Sequence, residues 1–228
     1  ALVWRHFAAL AARPRPSGQE EAVRNYVLWW AREQSFEASR DAIGNVVVRV
    51  PGRGDGVGCP AVILQGHMDM VCEKNAEVDH DFERDAIEPR RVDDRIFAHQ
   101  TTLGSDNGIG VSLALSAGEG LFAHHPPLEL LLTVDEETGM SGARELDASM
   151  LTAKRMINLD AEEEGVLYVG CAGGQDALVS GRVQRGAAPV GRVSMEVAVK
   201  GLRGGHSGLD IICNRGNALR LLSHALRA

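Results

Sequence analysis

The chain has 228 residues, of which 44% are hydrophobic, so it can bury a sizeable core and is predicted to fold. Its 31 acidic and 24 basic residues give a formal net charge of -7, which argues against nucleic acid as a partner because phosphate binding needs a basic face. No apolar run is long enough to span a bilayer and the four cysteines form no C-x-x-C pair, so we expect a cytoplasmic protein with reduced thiols and no membrane partner.

The N-terminal part of the sequence predicts two helices followed by a β-hairpin. Helical periodicity and then strand alternation appear in four successive segments: 2–12, 17–34, 36–40 and 45–50. Ser17 and Glu20 have the spacing of a capping box, which places the start of the second helix at Ser17.

Three later apolar runs predict buried strands, and each one ends in side chains that can bind a metal. The first run ends in His67 and Asp69, which lie two residues apart and therefore point to the same side of an extended backbone. The second run leads into Glu136 and Glu137, and the third leads into Asp160. In open α/β sheets, ligands bind at the carboxyl ends of the strands, so this edge is the predicted site.

A fourth acidic residue, Asp106, opens a predicted helix that reaches about Gly118. Crowded carboxylates repel one another, and oxygen ligands mixed with imidazole suit zinc, manganese or cobalt. A carboxylate shared by two ions is typical of two-metal hydrolases, and Asp106 is placed to be that bridge, although it is also a plausible helix N-cap. Glu136 and Glu137 point in different directions, so one can bind metal while the other faces the attacking water; alternatively they only begin the next helix.

The composition changes near residue 174, which predicts a boundary between two domains, 1–174 and 175–228. The first is predicted to be α/β, with a mixed, largely parallel core sheet flanked by helices. Two alternating strands over 177–183 and 192–200, and a helix from about Asn214, predict the start of a second, α+β domain.

Five ordered segments resemble motifs of the co-catalytic zinc peptidases related to aminoacylase and glutamate carboxypeptidase: 65–71, 101–108, 136–140, 158–160 and 204–208. The run Thr101–Gly104 and the segment 162–171 resemble the branch of aminoacyl-histidine dipeptidases, also called Xaa-His dipeptidases or bacterial carnosinases. The resemblance implies that 1–174 is the N-terminal part of a metallopeptidase catalytic domain and that 175–228 begins a lid and dimerisation domain.

The same resemblance implies a set of metal ligands. His67 and Asp160 would bind one zinc ion, Glu137 would bind the other, and Asp106 would bridge the two ions. Family chains are considerably longer, and we expect a further His ligand for the ion held by Glu137 to come from a C-terminal part that this chain lacks.

The resemblance also implies roles for three residues that do not bind metal. Asp69 would orient His67, and Glu136 would be the general base that takes a proton from water and passes it to the leaving amine. His206 would help to bind substrate or steady the oxyanion, reaching into the site of a partner subunit in a homodimer formed through the second domain.

The predicted function is therefore that of a metal-dependent dipeptidase that hydrolyses aminoacyl-histidine dipeptides such as carnosine. A tripeptidase, a carboxypeptidase and an N-acyl-amino-acid hydrolase on the same scaffold are alternatives. A catalytically silent fragment that binds metal or a partner chain is the alternative from a different class.

Overall fold

The computed structural model describes residues 2–161, 163–171, 177–187, 189–205 and 210–227. Close contacts divide the chain into two units, Ala1–Gly165 and Val166–Ala228, and each unit is described by itself. The boundary at residue 174, inferred from composition, stays a prediction.

A mixed sheet is the centre of the first unit. The strands of this unit, in chain order, are β1 (Glu37–Arg40), β2 (Val46–Val50), β3 (Val62–His67), β4 (Arg90–Val92), β5 (Arg95–Phe97), β6 (Leu128–Thr133) and β7 (Met156–Asn158). Five of them form one sheet in the order β1-β2-β6-β3-β7, while β4 and β5 form a separate antiparallel ribbon. The predicted hairpin of β1 and β2 is confirmed, β2 continues antiparallel to β6, and β3 runs parallel to both β6 and β7.

Helices flank this sheet, as the α/β prediction requires. They are α1 (Leu2–Ala11), α2 (Glu21–Glu33), α3 (Ser105–Ser116) and the short α4 (Ser141–Arg144). The apolar face of α2, which includes Val27 and Trp30, packs in one core with Val48 and Leu130 of the sheet. Burying one such side chain contributes about 1.5–3 kcal/mol to the free energy of unfolding. This packing therefore fixes the sheet, and the site lies at the carboxyl ends of its parallel strands.

The start of α2 differs from the prediction, because the helix begins at Glu21 and its first turn has no side-chain cap. The Ser17 hydroxyl instead donates a hydrogen bond to Asp69 at 2.7 Å. The Glu20 carboxylate accepts hydrogen bonds from the backbone N–H groups of Gly18 and Asp135 at 2.8 and 3.0 Å. The capping-box prediction was therefore wrong, because the Ser17 side chain binds a distant segment, and the Glu20 side chain binds Gly18 and the distant Asp135.

The second unit contains a helix, α5 (Ala218–Arg227), near the position expected from the sequence. The two predicted strands are not formed, since the described residues of 177–205 adopt no strand. A strand requires a hydrogen-bonded neighbour, and alternating polarity alone supplies none. None of the helices within the described ranges is long and apolar enough to cross a membrane.

A buried polar cluster joins α1 to α2 and to the segment after α3. The imidazole of His6 lies 2.8 Å from the hydroxyl of Tyr26 and 2.8 Å from the carboxylate of Glu119. The indole N–H of Trp30 donates to the same carboxylate at 3.3 Å. Burial lowers the pKa of His6 below 6.5, and its hydrogen bond to Glu119 opposes this shift without reversing it.

We expect His6 to make the stability of the first unit pH-dependent. Its pKa is lower in the folded than in the unfolded chain, so its contribution is present above about pH 6.5 and is lost as the pH falls toward the folded pKa. In His6→Gln, urea unfolding should show a smaller loss of stability between about pH 7 and pH 5 than in the unsubstituted chain. The exposed His124 provides a control, because His124→Gln should keep the original pH dependence; an unchanged dependence in His6→Gln would contradict the assignment.

Candidate metal centre

The candidate site lies where β3 ends, at the carboxyl edge of the parallel part of the sheet. His67 is the last residue of β3, and its Nδ1 atom lies 3.1 Å from an Asp69 carboxylate oxygen. The side chains of His67 and Asp69 are only 1% and 0% exposed. The hydrogen bond to Asp69 fixes the ring orientation and leaves Nε2 facing the remaining side chains of the site.

The Asp69 carboxylate is also the acceptor for two other segments of the chain. It accepts hydrogen bonds from the Ser17 hydroxyl at 2.7 Å and from the backbone N–H groups of Glu136 and Glu137 at 3.1 Å each. Burial would raise the pKa of Asp69, but the bonds from His67, Ser17 and these two N–H groups hold it well below its usual range. Asp69 is therefore a permanent carboxylate that positions both the imidazole and the Glu136–Glu137 turn.

Carboxylates from three further segments surround Nε2 of His67. The nearest oxygens of Asp106, Asp160 and Glu136 lie 2.9, 3.6 and 3.9 Å from it. Two sets of side chains each have potential ligand atoms that all lie within 4.8 Å of one another. The first set is His67 with Asp106 and Asp160, and the second is His67 with Glu136 and Glu137. Each of these sets could hold a metal ion, and both share the imidazole of His67.

The structure thus brings together most of the side chains predicted for the site. They come from the ends of β3, β6 and β7 and from the start of α3: His67, Asp69, Asp106, Glu136, Glu137 and Asp160. His206 lies outside the described residues, so its predicted role stays a prediction.

The electrostatics of the site favour a cation. Burial and the neighbouring Asp106 carboxylate raise the pKa of Asp160 to about 6, and the same two influences raise that of Glu137 to about 7. Burial opposes protonation of His67, but its hydrogen bonds to Asp106 and Asp69 raise its pKa to about 10. At neutral pH His67 therefore holds a proton and Glu137 holds one in part, and a divalent cation would displace these protons. One imidazole with several carboxylates is a ligand set that suits zinc, manganese or cobalt.

Asp106 reaches His67 because the backbone turns just before α3. Gly104 adopts a left-handed conformation, with φ 68°, and Asp106 itself is extended, with φ -80° and ψ 115°. The first turn of α3 has no side-chain cap, so the alternative interpretation of Asp106 as an N-cap was wrong.

Asn107 links α3 to the end of β7, and the sequence analysis missed it. Its side-chain amide donates to the Leu159 carbonyl at 3.2 Å and to the Asp160 carboxylate at 3.1 Å. A Cβ atom at either Gly66 or Gly110 would collide with the Asn107 side-chain oxygen. The two glycines that flank the motifs of His67 and Asp106 were the signal that could have revealed this buried amide.

Arg15 is a second residue that the sequence analysis missed. Its guanidinium donates to the backbone carbonyls of Met68 and Asp69 at 3.2 and 2.8 Å and to that of Gly104. In the sequence it lies between two prolines, and only this position distinguishes it from a surface arginine.

The chain is similar to known proteins in both sequence and fold. No family model matches the chain. The cytosol non-specific dipeptidase of Escherichia coli strain K12 is 43% identical over 220 residues, which covers 96% of this chain and 45% of that protein. The aminoacylhistidine dipeptidase from Vibrio alginolyticus is 40% identical with a TM-score of 0.75, over 99% of this chain and 46% of that one.

A more distant likeness concerns the fold alone. A tripeptidase from Staphylococcus aureus is 22% identical with a TM-score of 0.58, over 71% of this chain and 43% of that one. In each of these comparisons the chain spans a little under half the length of the protein that it matches.

We expect Gly66→Ala to disturb the site through Asn107. The added methyl group would displace the Asn107 side chain, which loosens its bond to Asp160 and should lower the free energy of unfolding by about 1–3 kcal/mol. Urea unfolding measures this loss. Gly58→Ala is the control, because a Cβ at Gly58 meets nothing within 4 Å and its stability should stay within about 0.5 kcal/mol of the unsubstituted chain. Equal stabilities for the two variants would contradict the crowding argument.

Proposed function

The chain is related to the dipeptidases of the M20 family, and from this relationship we propose that the protein is a metal-dependent peptide-bond hydrolase acting on dipeptides. The observation that carries the proposal is the convergence on His67 of carboxylates from three separate segments. The identities of 43% and 40% to two proteins named as dipeptidases support it.

The substrate proposal is a dipeptide with histidine at its C-terminus. The name of the Vibrio alginolyticus protein and the Thr101–Gly104 run support this preference. The Escherichia coli relative is named a non-specific dipeptidase, which supports a broader range of dipeptides. A panel of Xaa-His, other Xaa-Xaa dipeptides and tripeptides separates these possibilities by their kcat/KM values.

The proposed cofactor is a pair of divalent metal ions, with zinc favoured and manganese or cobalt as alternatives. His67 and Asp160 would hold one ion, Glu137 would hold the other, and Asp106 would bridge them. When bound, such ions supply a Lewis acid that polarises the scissile carbonyl and lowers the pKa of water. The close approach of Asp106 and Asp160 to the same imidazole nitrogen, at 2.9 and 3.6 Å, supports the first of these ligand sets.

Glu136 is the proposed general base. Its carboxylate lies 3.9 Å from Nε2 of His67 and is partly exposed, so both water and substrate can reach it. It would take a proton as the water oxygen bonds to the carbonyl carbon, and would deliver that proton to the amine nitrogen as the C–N bond breaks. The bond from its backbone N–H to Asp69 positions it for this transfer.

Three further features belong to the same proposal. A cytoplasmic location is supported by the name of the Escherichia coli relative. A homodimer formed through the second domain, with His206 contributing to substrate binding, rests on the resemblance alone. The net charge of -7 supports a protein that does not bind nucleic acid.

We expect Glu136→Gln and Asp106→Ala to separate base catalysis from metal binding. Glu136→Gln should lower kcat by about 10²–10⁴-fold with metal content nearly unchanged, because it removes the proton acceptor and little of the ligand set. Asp106→Ala should lose both activity and metal. Dipeptide hydrolysis and elemental analysis of the purified protein measure the two effects.

The matched control is Glu145→Gln, which changes an exposed glutamate outside the site and should leave both quantities unchanged. Retained hydrolysis in Glu136→Gln would remove Glu136 from the base role. Full metal content in Asp106→Ala would remove Asp106 from the bridging position.

A further inference from the structure

Arg15 is a buried cation that lies beside the metal centre without being one of its ligands. The residue is 2% exposed. One guanidinium nitrogen donates to the backbone carbonyls of Met68 and Asp69, at 3.2 and 2.8 Å, and the other donates to the carbonyl of Gly104. All of these acceptors belong to the backbone, and the Nε atom has no hydrogen-bond partner among the residues that the structure describes.

The three carbonyls belong to two segments that carry different parts of the site. Met68 and Asp69 directly follow His67, whereas Gly104 lies two residues before Asp106. A guanidinium is planar and presents its donors in a rigid fork, so the acceptors that it binds are held at fixed separations. The contact therefore sets how far the backbone of His67 stands from that of Asp106.

Arg15 is itself fixed to the end of β3. The backbone N–H of Met70 donates to the Arg15 carbonyl at 3.2 Å, and the adjacent Pro16 pairs with Met70 in a parallel bridge. The guanidinium is thus anchored at both ends of its side chain, which makes it a brace rather than a mobile cation.

The surrounding backbone leaves room for the guanidinium at two glycines. A Cβ atom at Gly104 would collide with an Arg15 nitrogen and with the sulfur of Met70, and one at Gly108 would come within 2.8 Å of the same nitrogen. Gly104 also has a φ of 68°, where a side chain is strained. Glycine at these positions in the motif that contains Asp106 is therefore explained by the presence of Arg15.

The charge of Arg15 and its bracing geometry should have opposite effects on metal binding. Burial lowers the pKa of Arg15 to about 10, so the group stays protonated at neutral pH, and the Asp69 and Asp106 carboxylates favour that charge. A positive charge beside a cation repels it, so charge alone would weaken metal binding. A bracing role instead predicts that loss of the guanidinium weakens binding, and the two effects can be distinguished by experiment.

We propose that Arg15 is a positioning residue of the metal centre, which fixes the separation of the His67 imidazole and the Asp106 carboxylate by binding the backbone of both segments. The inference rests on the proposed metal-dependent function. It assigns Arg15 no contact with the substrate or with the ions.

The test is a Co(II) titration of the 228-residue chain, followed by its visible absorption spectrum, which reports coordination geometry. Arg15→Lys keeps the positive charge and loses the fork, whereas Arg15→Met loses both. We expect both variants to bind Co(II) about 10–100-fold more weakly than the unsubstituted chain and with shifted absorption bands, as for other groups that orient metal ligands. Arg49→Met is the control, because Arg49 also donates to a backbone carbonyl, that of Met150, away from the described site, and both affinity and spectrum should be unchanged.

Circular dichroism checks that each variant folds. If Arg15→Met unfolds, the variants Arg15→Lys and Gly104→Ala test the inference instead. Gly104→Ala disturbs the contact with Arg15 from the loop side, and each of the two variants should shift the absorption bands. Unshifted bands with unchanged affinity in Arg15→Lys would overturn the inference, as would tighter binding with unshifted bands in Arg15→Met, which is the result expected from charge alone.

The unsubstituted chain and Asp106→Ala separate this inference from the function on which it rests. Co(II) binding that Asp106→Ala does not weaken would overturn the proposed metal site, and the role of Arg15 with it. Binding that depends on Asp106 but not on Arg15 would overturn the role of Arg15 alone.

Discussion

The buried carboxylate of Asp69 is the interaction on which the rest of the site depends. A fully buried charge is costly unless it is hydrogen-bonded, and Asp69 meets that cost with four donors from three segments. Each of those bonds also does something for the site: one orients His67, two place the Glu136–Glu137 turn, and one holds the chain ahead of α2. The hydrogen bonds that stabilise the buried carboxylate of Asp69 are therefore the same bonds that assemble the ligands.

Around this carboxylate the site separates into a rigid inner part and a more exposed outer part. His67 is 1% exposed, while the side chain of Asp106 is 58% exposed although it touches the same imidazole. The sheet and α2 hold the inner part by packing, and the outer part is held by polar groups such as Asn107 and Arg15. A site of this kind keeps its imidazole in place while its outer carboxylates face solvent.

The sequence predicted the hairpin, the three later strands and the residues that end them, because apolar runs and the polar residues that interrupt them are local signals. The burial predicted for the third of these strands was wrong, because β7 lies at the edge of the sheet and is exposed. It did not predict what Ser17 and Arg15 do, because their partners are distant in sequence, and a capping box was the best local explanation of Ser17. Asn107 was missed for the same reason. The two strands predicted over 177–183 and 192–200 did not form, because their alternating pattern is a local signal but a strand also needs a hydrogen-bonded neighbour.

The long range of the bonds made by the segment before α2 has a consequence for biosynthesis. Ser17 lies 52 residues from Asp69, and Glu20 lies 115 residues from Asp135. At ribosomal speeds of about 5–20 residues per second, Glu20 waits roughly 6–23 s for its partner to be synthesised. During that interval the partners of the N-terminal hairpin and helices, β6 and Glu119, are also synthesised late, and the carboxylate cluster is still incomplete. The nascent chain therefore acquires its metal-binding geometry late, and ions present during translation meet scattered single ligands before they meet a site.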